Sequence, residues 1–268
     1  MQTAAKALSL LCFVFLPFTA LGTANSAPQC QGDDVSSCEI TGRTYQVKVP
    51  ENWDGKSLLP VLVHFHGWGR TGSNVLNNPR VTNATDNNGF LLVAPDGLGK
   101  SWDFWGNNSR DTPFIRSIIK DLPSKWPVDT SQIYISGFSY GGAMAWRLAC
   151  ENGKKFAGIL PIAGTLRQQD TINCKGGPVN VIQVHGLKDN VMRLPGGNNG
   201  NPLKGIELWR RTNKCQVEPD LVEKLNIFTC HHWTSCNSGK ETTLCLHNYG
   251  HMIPKGWLNL ALAGVLKP

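Results

Sequence analysis

The segment Gly137-Phe138-Ser139-Tyr140-Gly141 carries the clearest chemistry in the chain. A serine hydroxyl is a poor nucleophile unless its backbone aims it and a base takes its proton. Residues 132–136 (QIYIS), just before this segment, have the short apolar pattern of a buried strand, and residues 140–151 have helical spacing. A GxSxG between a strand and a helix describes a sharp turn that holds the serine in a strained conformation at a helix N-terminus. Backbone N–H groups there point at any oxyanion that develops. Glycines on both sides let strand and helix approach without Cβ clashes. The competing reading is an ordinary glycine-rich turn.

Such a serine needs a base, and the base an orienting acid. In this arrangement the acid and then the histidine follow the serine in the chain. Among seven histidines, His64 and His66 come before Ser139, and His247 ends an apolar run. His251, in YGHMIP between the last strand candidate and the last helix candidate, is the expected base. The expected acid is Asp189, in HGLKD at the end of the next strand candidate, where it would fix the imidazole tautomer. Asp170 follows the preceding strand, and Glu207 and Asp220 lie farther on. An aspartate in a turn is also common without any catalytic role. Backbone N–H groups of Trp68, in HFHGWG, and Tyr140 are the expected oxyanion hole. His64 and His66 share one strand face and so could hold a metal, but no third ligand has matching spacing. No metal and no cofactor is expected, and His66 reads better as a brace for its loop. Trp102, Trp105 and Trp257 are candidate substrate contacts, with core packing as the alternative.

The elements that must position these groups are visible as alternating patterns. Residues 43–49, 59–65, 90–94, 132–136, 158–163, 179–184 and 242–247 read as strands, and 113–125, 140–151, 203–212 and 254–265 as helices. This alternation predicts a doubly wound, mostly parallel α/β sheet in a single domain. No repeat or linker interrupts it.

Residues 1–27 have the layout of a secretory signal peptide. Lys6 precedes the mostly apolar residues 7–21, and small residues at 22–27 offer a cleavage site. The run is shorter than the roughly 20 residues an anchor needs, so no stable membrane insertion is expected. The remaining residues, 28–268, suffice for one large core. Beyond Cys12, eight cysteines remain: Cys30, Cys38, Cys150, Cys174, Cys215, Cys230, Cys236 and Cys245. An even number in an exported chain predicts four disulfides. Residues 224–231 and 242–247 can pair antiparallel around a turn at 234–240, which sets Cys230 opposite Cys245 and lets Cys236 reach Cys215. The formal charge of +7 comes without a dense basic tract, so no nucleic-acid partner is expected. Asn83 and Asn107 stand in glycosylation sequons.

Taken together, HFHGWG, APDG with SWDFWG, SGFSYGGAMAW, HGLKDNV and YGHMIP resemble the secreted polyhydroxybutyrate depolymerase/feruloyl esterase-like family of α/β-hydrolases. The resemblance runs from about Arg43 onward. It implies an α/β-hydrolase fold, a Ser139–Asp189–His251 triad, an oxyanion hole at Trp68 and Tyr140, and an ester substrate, small or polymeric. The family's substrates leave feruloyl or related plant-polysaccharide esters and hydroxyalkanoate polyesters both open. Extra cysteine and histidine near His231-His232-Trp233 depart from the family pattern. The rival readings are a non-catalytic extracellular binding protein on the same fold and a serine peptidase.

Overall fold

The computed structural model describes residues 37–106, 108–167, 174–196 and 200–264. The expected leader, Cys30, Asn107 and Asp170 lie outside the described residues. Ten strands form one sheet: β1 (Cys38–Ile40), β2 (Arg43–Lys48), β3 (Leu59–Phe65), β4 (Leu91–Pro95), β5 (Val128–Phe138), β6 (Gly158–Ile162), β7 (Asn180–Gly186), β8 (Leu221–Leu225), β9 (Phe228–Trp233) and β10 (Thr242–His247). The described helices are α1 (Gly72–Leu76), α2 (Pro79–Asn88), α3 (Asp111–Asp121), α4 (Tyr140–Asn152), α5 (Leu203–Thr212) and α6 (Trp257–Leu262).

The sheet order is β1-β2-β4-β3-β5-β6-β7-β10-β9-β8. The six strands from β4 to β10 in that order run parallel, with antiparallel strands at both edges. Side chains alternate across β3: Val61, Val63 and Phe65 enter one core with α3, α4 and α5, while Leu62 enters the other with α2 and α6. Both faces of the parallel strands are covered, so their sequences read as continuous apolar runs rather than as alternation. The chain leaves β3 for β4 on one side and returns to β5 on the other. That reversal opens a crevice at the strand ends, where α/β sheets bind ligands. It lies between the loops that begin at His66 and Ser139.

Several expected elements differ in extent. The helix expected at 113–125 ends at Asp121 and becomes a short 3-10 turn containing Pro123. The helix expected at 254–265 starts only at Trp257, because Gly256 adopts a left-handed φ of 81°. Residues 224–231 do not form one strand. The chain reverses after Leu225 through Asn226, at φ 54°, so β8 and β9 are a hairpin. Helices α1 and α2 had no counterpart among the sequence patterns. The second starts at Pro79, and the side chain of Asn78 accepts a hydrogen bond from the Arg80 N–H at 3.0 Å.

Three disulfides lie within the described residues. Cys150–Cys174 ties the end of α4 to the segment before β7, Cys215–Cys236 joins the end of α5 to the β9–β10 turn, and Cys230–Cys245 crosslinks β9 to β10. Cys230 and Cys245 are directly opposite in the register, as expected from their similar distances to the turn centre. Cys38 is also disulfide-bonded. Among the described residues no helix is long and apolar enough to cross a membrane.

Candidate active site

Ser139 stands between β5 and α4 at φ 57° and ψ −116°, a region that L-residues rarely occupy. The surroundings hold it there. Its N–H donates to the Ile162 carbonyl at 2.9 Å, and its own carbonyl accepts the first helical bond from the Ala143 N–H. The turn closes tightly because Gly141 lacks a side chain: a Cβ there would lie 2.1 Å from the Phe65 carbonyl oxygen. The helix thus starts against the end of β3. Its first N–H groups have no partner within the helix.

Two further loops converge on the hydroxyl. His251 follows β10, and its Nε2 is 2.8 Å from Ser139 Oγ. Its Nδ1 is 2.7 Å from Asp189 Oδ2, in the loop after β7. The other carboxylate oxygen of Asp189 accepts the Val191 and Met192 N–H groups, both at 2.8 Å. Burial raises the Asp189 carboxyl, but the His251 hydrogen bond and these N–H groups outweigh it, so the group lies below the usual range. Because Asp189 is a carboxylate, Nδ1 of His251 carries the proton and Nε2 is left as the acceptor facing the serine. The arrangement can move a proton from hydroxyl to imidazole and stabilise the resulting charge. The ring of His251 rests on Phe138, with centroids 4.8 Å apart.

Five of the remaining histidines, His64, His66, His185, His232 and His247, are buried. His66 Nδ1 bonds the Gly67 carbonyl at 2.8 Å and its Nε2 accepts the Gly97 N–H at 3.0 Å, so its ring ties its own loop to the one after β4. Trp102 donates its indole N–H to the His66 carbonyl. His64 bonds Ser136 Oγ, and burial pushes its pKa down to about 3. His185 Nε2 is 2.7 Å from the Met192 carbonyl and 3.4 Å from Asp189 Oδ2, and burial lowers it as well. Among the described residues no group of three or more His, Cys, Asp or Glu stands together to hold a metal.

A cleft of about 770 Å³ opens over Ser139 and His251. It is lined by His64, Gly67, Phe138 and Tyr140, and one wall comes from the segment around α1 and α2, with Arg70, Asn74, Asn77, Asn78 and Arg80 beside Val75, Pro79 and Val81. The Arg80 guanidinium donates to the Ile253 carbonyl at 2.5 Å, tying that wall to the His251 loop. Trp68 also lines the cleft and is 70% exposed. Two expected substrate contacts need correction. Trp102 and Trp257 are 2% and 0% exposed, so both indoles belong to the cores on either side of the sheet and offer no surface to a ligand. Trp105 is half-buried, stacked on Phe104 and edge-on to Tyr140, and the cleft is lined by Tyr140 rather than by Trp105. Sequence reasoning missed the α1–α2 wall altogether. The Asn78-Pro79 pair was its one available signal, since Asn caps a helix and Pro suits its first turn.

A parallel sheet with helices on both faces, and a strained serine at the β5–α4 turn, define an α/β-hydrolase. Residues 107–208 match the family model described as phospholipase/carboxylesterase. Feruloyl esterase C from Emericella nidulans is 30% identical over 193 residues, covering 68% of this chain and 69% of the relative. Feruloyl esterase D from Neurospora crassa is 25% identical over 263 residues, covering 90% and 87%. Feruloyl esterase B from Piromyces equi is 28% identical over 223 residues, 76% of this chain but 41% of that longer protein. Among solved structures, acetyl xylan esterase from Aspergillus awamori superimposes with a TM-score of 0.69 at 15% identity, covering 84% of this chain and 94% of the other, which speaks to fold. The chain belongs to the feruloyl esterase-like family of α/β-hydrolases and is a serine carboxylic-ester hydrolase.

Proposed function

We propose that Ser139 is the nucleophile, His251 its general base and Asp189 the orienting acid of a secreted esterase that cleaves hydroxycinnamoyl esters of plant polysaccharides. The observation that carries this reading is the continuous chain of hydrogen bonds from Ser139 Oγ through His251 to Asp189, at 2.8 and 2.7 Å. Ser139 Oγ attacks the ester carbonyl as its proton passes to His251 Nε2. The N–H groups of Tyr140 and Trp68 hold the oxyanion. His251 then protonates the leaving alcohol, and water, activated by the same imidazole, releases the acid from the acyl-enzyme.

The feruloyl esterase relatives favour an aromatic acyl group over hydroxyalkanoate polyesters. Secretion is supported by the leader pattern of residues 1–27 and by the disulfides. The test is a panel of methyl ferulate, feruloylated arabino-oligosaccharide, acetylated xylan, 4-nitrophenyl acetate and polyhydroxybutyrate, with mass spectrometry for acyl transfer to Ser139. Ferulate release, with acyl labelling at Ser139 that disappears in Ser139→Ala, is expected. Turnover of polyhydroxybutyrate with none of the feruloyl esters would overturn the substrate, and labelling elsewhere would overturn the nucleophile.

A further inference from the structure

The wall of the cleft contributed by the segment around α1 and α2 carries several hydrogen-bond donors beside the apolar Val75, Pro79 and Val81. Arg70, Arg80, Asn74 and Asn78 all contribute to it, and none of the residues lining the cleft is acidic. The two amides are oriented alike. Asn74 Oδ1 accepts the Thr71 N–H and Asn78 Oδ1 accepts the Arg80 N–H, which leaves their NH2 groups as the remaining donors. Arg80 is occupied by the Ile253 carbonyl. Arg70 is different. Of the two arginines on the cleft, Arg70 is exposed and its guanidinium has no hydrogen-bond or ion-pair partner among the described residues, a state it shares with Arg211 away from the cleft. Its backbone is nevertheless fixed, since its N–H bonds the Gly67 carbonyl and the Gly69 N–H bonds the Lys100 carbonyl. Two residues before it, the indole of Trp68 stands largely in solvent on the same cleft.

A donor-rich wall with an unpaired guanidinium on a fixed backbone calls for an anion. An arginine fork fits a carboxylate through two parallel hydrogen bonds. An exposed indole alongside offers a flat apolar face to a sugar ring. Resting on the feruloyl-type reading above, we propose that Arg70 and Trp68 form a subsite for a uronic-acid residue, so that the polysaccharide carrying the ester is an acidic one. The sugar ring lies on Trp68 and its carboxylate meets Arg70, with Asn74 and Asn78 donating to the remaining oxygens. The substrate carboxylate supplies the partner that Arg70 lacks in the protein, and the chain's formal charge of +7 attracts such a polymer at longer range.

The test measures binding directly and so does not depend on which ester is cleaved. Calorimetry with tetragalacturonate and with xylotetraose is expected to show at least about 5-fold tighter binding of the acidic oligomer at 20 mM salt. The difference should shrink at 0.5 M, because exposed charges are screened there. Tetragalacturonate should also inhibit 4-nitrophenyl acetate hydrolysis competitively. Arg70→Gln should collapse the acid-to-neutral affinity ratio to about 1, and Arg70→Lys should restore part of it. A carboxylate on the acyl side is the other source of this chemistry, and 4-nitrophenyl hemisuccinate against 4-nitrophenyl butyrate reads it. Equal binding of the two oligomers, an unchanged ratio in Arg70→Gln, or a preference confined to hemisuccinate would overturn the uronate subsite. Failure of methyl ferulate to turn over, with the oligomer ratio intact, would instead count against the acyl specificity alone.

Discussion

Asp189→Asn is nearly isosteric, and the bonds around the carboxylate decide what it does. Oδ1 accepts two backbone N–H groups, from Val191 and Met192, each at 2.8 Å. Asp189 is 5% exposed, so water cannot replace those bonds. Turning the new amide so that its NH2 faced the two N–H groups would leave both unsatisfied, at about 1–3 kcal/mol each. The amide oxygen therefore stays with the backbone and the NH2 faces His251. Nδ1 of His251 must then accept a hydrogen bond, which moves the ring proton to Nε2, 2.8 Å from Ser139 Oγ. A protonated Nε2 cannot take the serine proton. With about 2–6 kcal/mol favouring the wrong tautomer, kcat should fall by roughly 30- to 10⁴-fold, and the upper end matches what this loss costs in a serine triad. The fold should survive, because the loop keeps its backbone bonds. Steady-state hydrolysis of 4-nitrophenyl acetate gives the rate, and thermal unfolding checks the fold. A folded Asp189→Asn enzyme within tenfold of the wild-type rate would refute both the tautomer argument and the role given to Asp189.

Three other outcomes are expected. Ser139→Ala should lower kcat by about 10⁵- to 10⁶-fold while leaving the melting temperature within a few degrees, and an active, folded variant would remove Ser139 from the mechanism. Acid should destabilise the fold through His64: burial lowers its pKa from 6.5 to about 3, so its stabilisation is complete above pH 6.5 and is lost as the pH falls toward 3, in total about 5 kcal/mol. Burial lowers His66, His185, His232 and His247 too, so denaturant unfolding of His64→Asn at pH 7 and 5 should show a shallower pH slope than wild type, not a flat one; identical slopes would contradict it. The double variant Cys230→Ala/Cys245→Ala opens a crosslink spanning 15 residues and should cost about 3 kcal/mol in reversible denaturant unfolding, with no change in midpoint as the contrary result.

What could be read from the sequence depended on how local the governing physics is. The GFSYG turn is legible because five consecutive residues meet one steric demand: a serine in a strained conformation between glycines, one of which would otherwise collide with β3. Asp189 and His251 are legible by chain order, since each follows a recognisable buried strand, β7 and β10. The opposition of Cys230 and Cys245 came from counting outward from the turn, and it survived even though the chain also reverses at Asn226, because that reversal lies beyond the counted residues. Asn226 tolerates the left-handed conformation, but without a glycine or proline beside it a single asparagine is too weak a turn signal to announce the β8–β9 hairpin. The tryptophans stay open between substrate contact and core in the sequence for a different reason. Their positions in loops and near His251 are sequence facts, but which way an indole turns is settled by the layers above and below it, and Trp102 and Trp257 turn inward. Helix α2, with the sequence PRVTNATDNN, shows the strongest form of this limit. It buries only Val81, Thr82, Ala84 and Thr85, too small and too polar a stripe to stand out as amphipathic. Its place over the cleft comes from packing against α6 and from the Arg80 bond to Ile253. The reacting groups therefore sit on elements whose patterns are strong, because a parallel sheet must bury both faces. The cleft wall at α1 and α2 sits on elements held by tertiary contacts, which is why Ser139, Asp189 and His251 were readable from the chain and that wall was not.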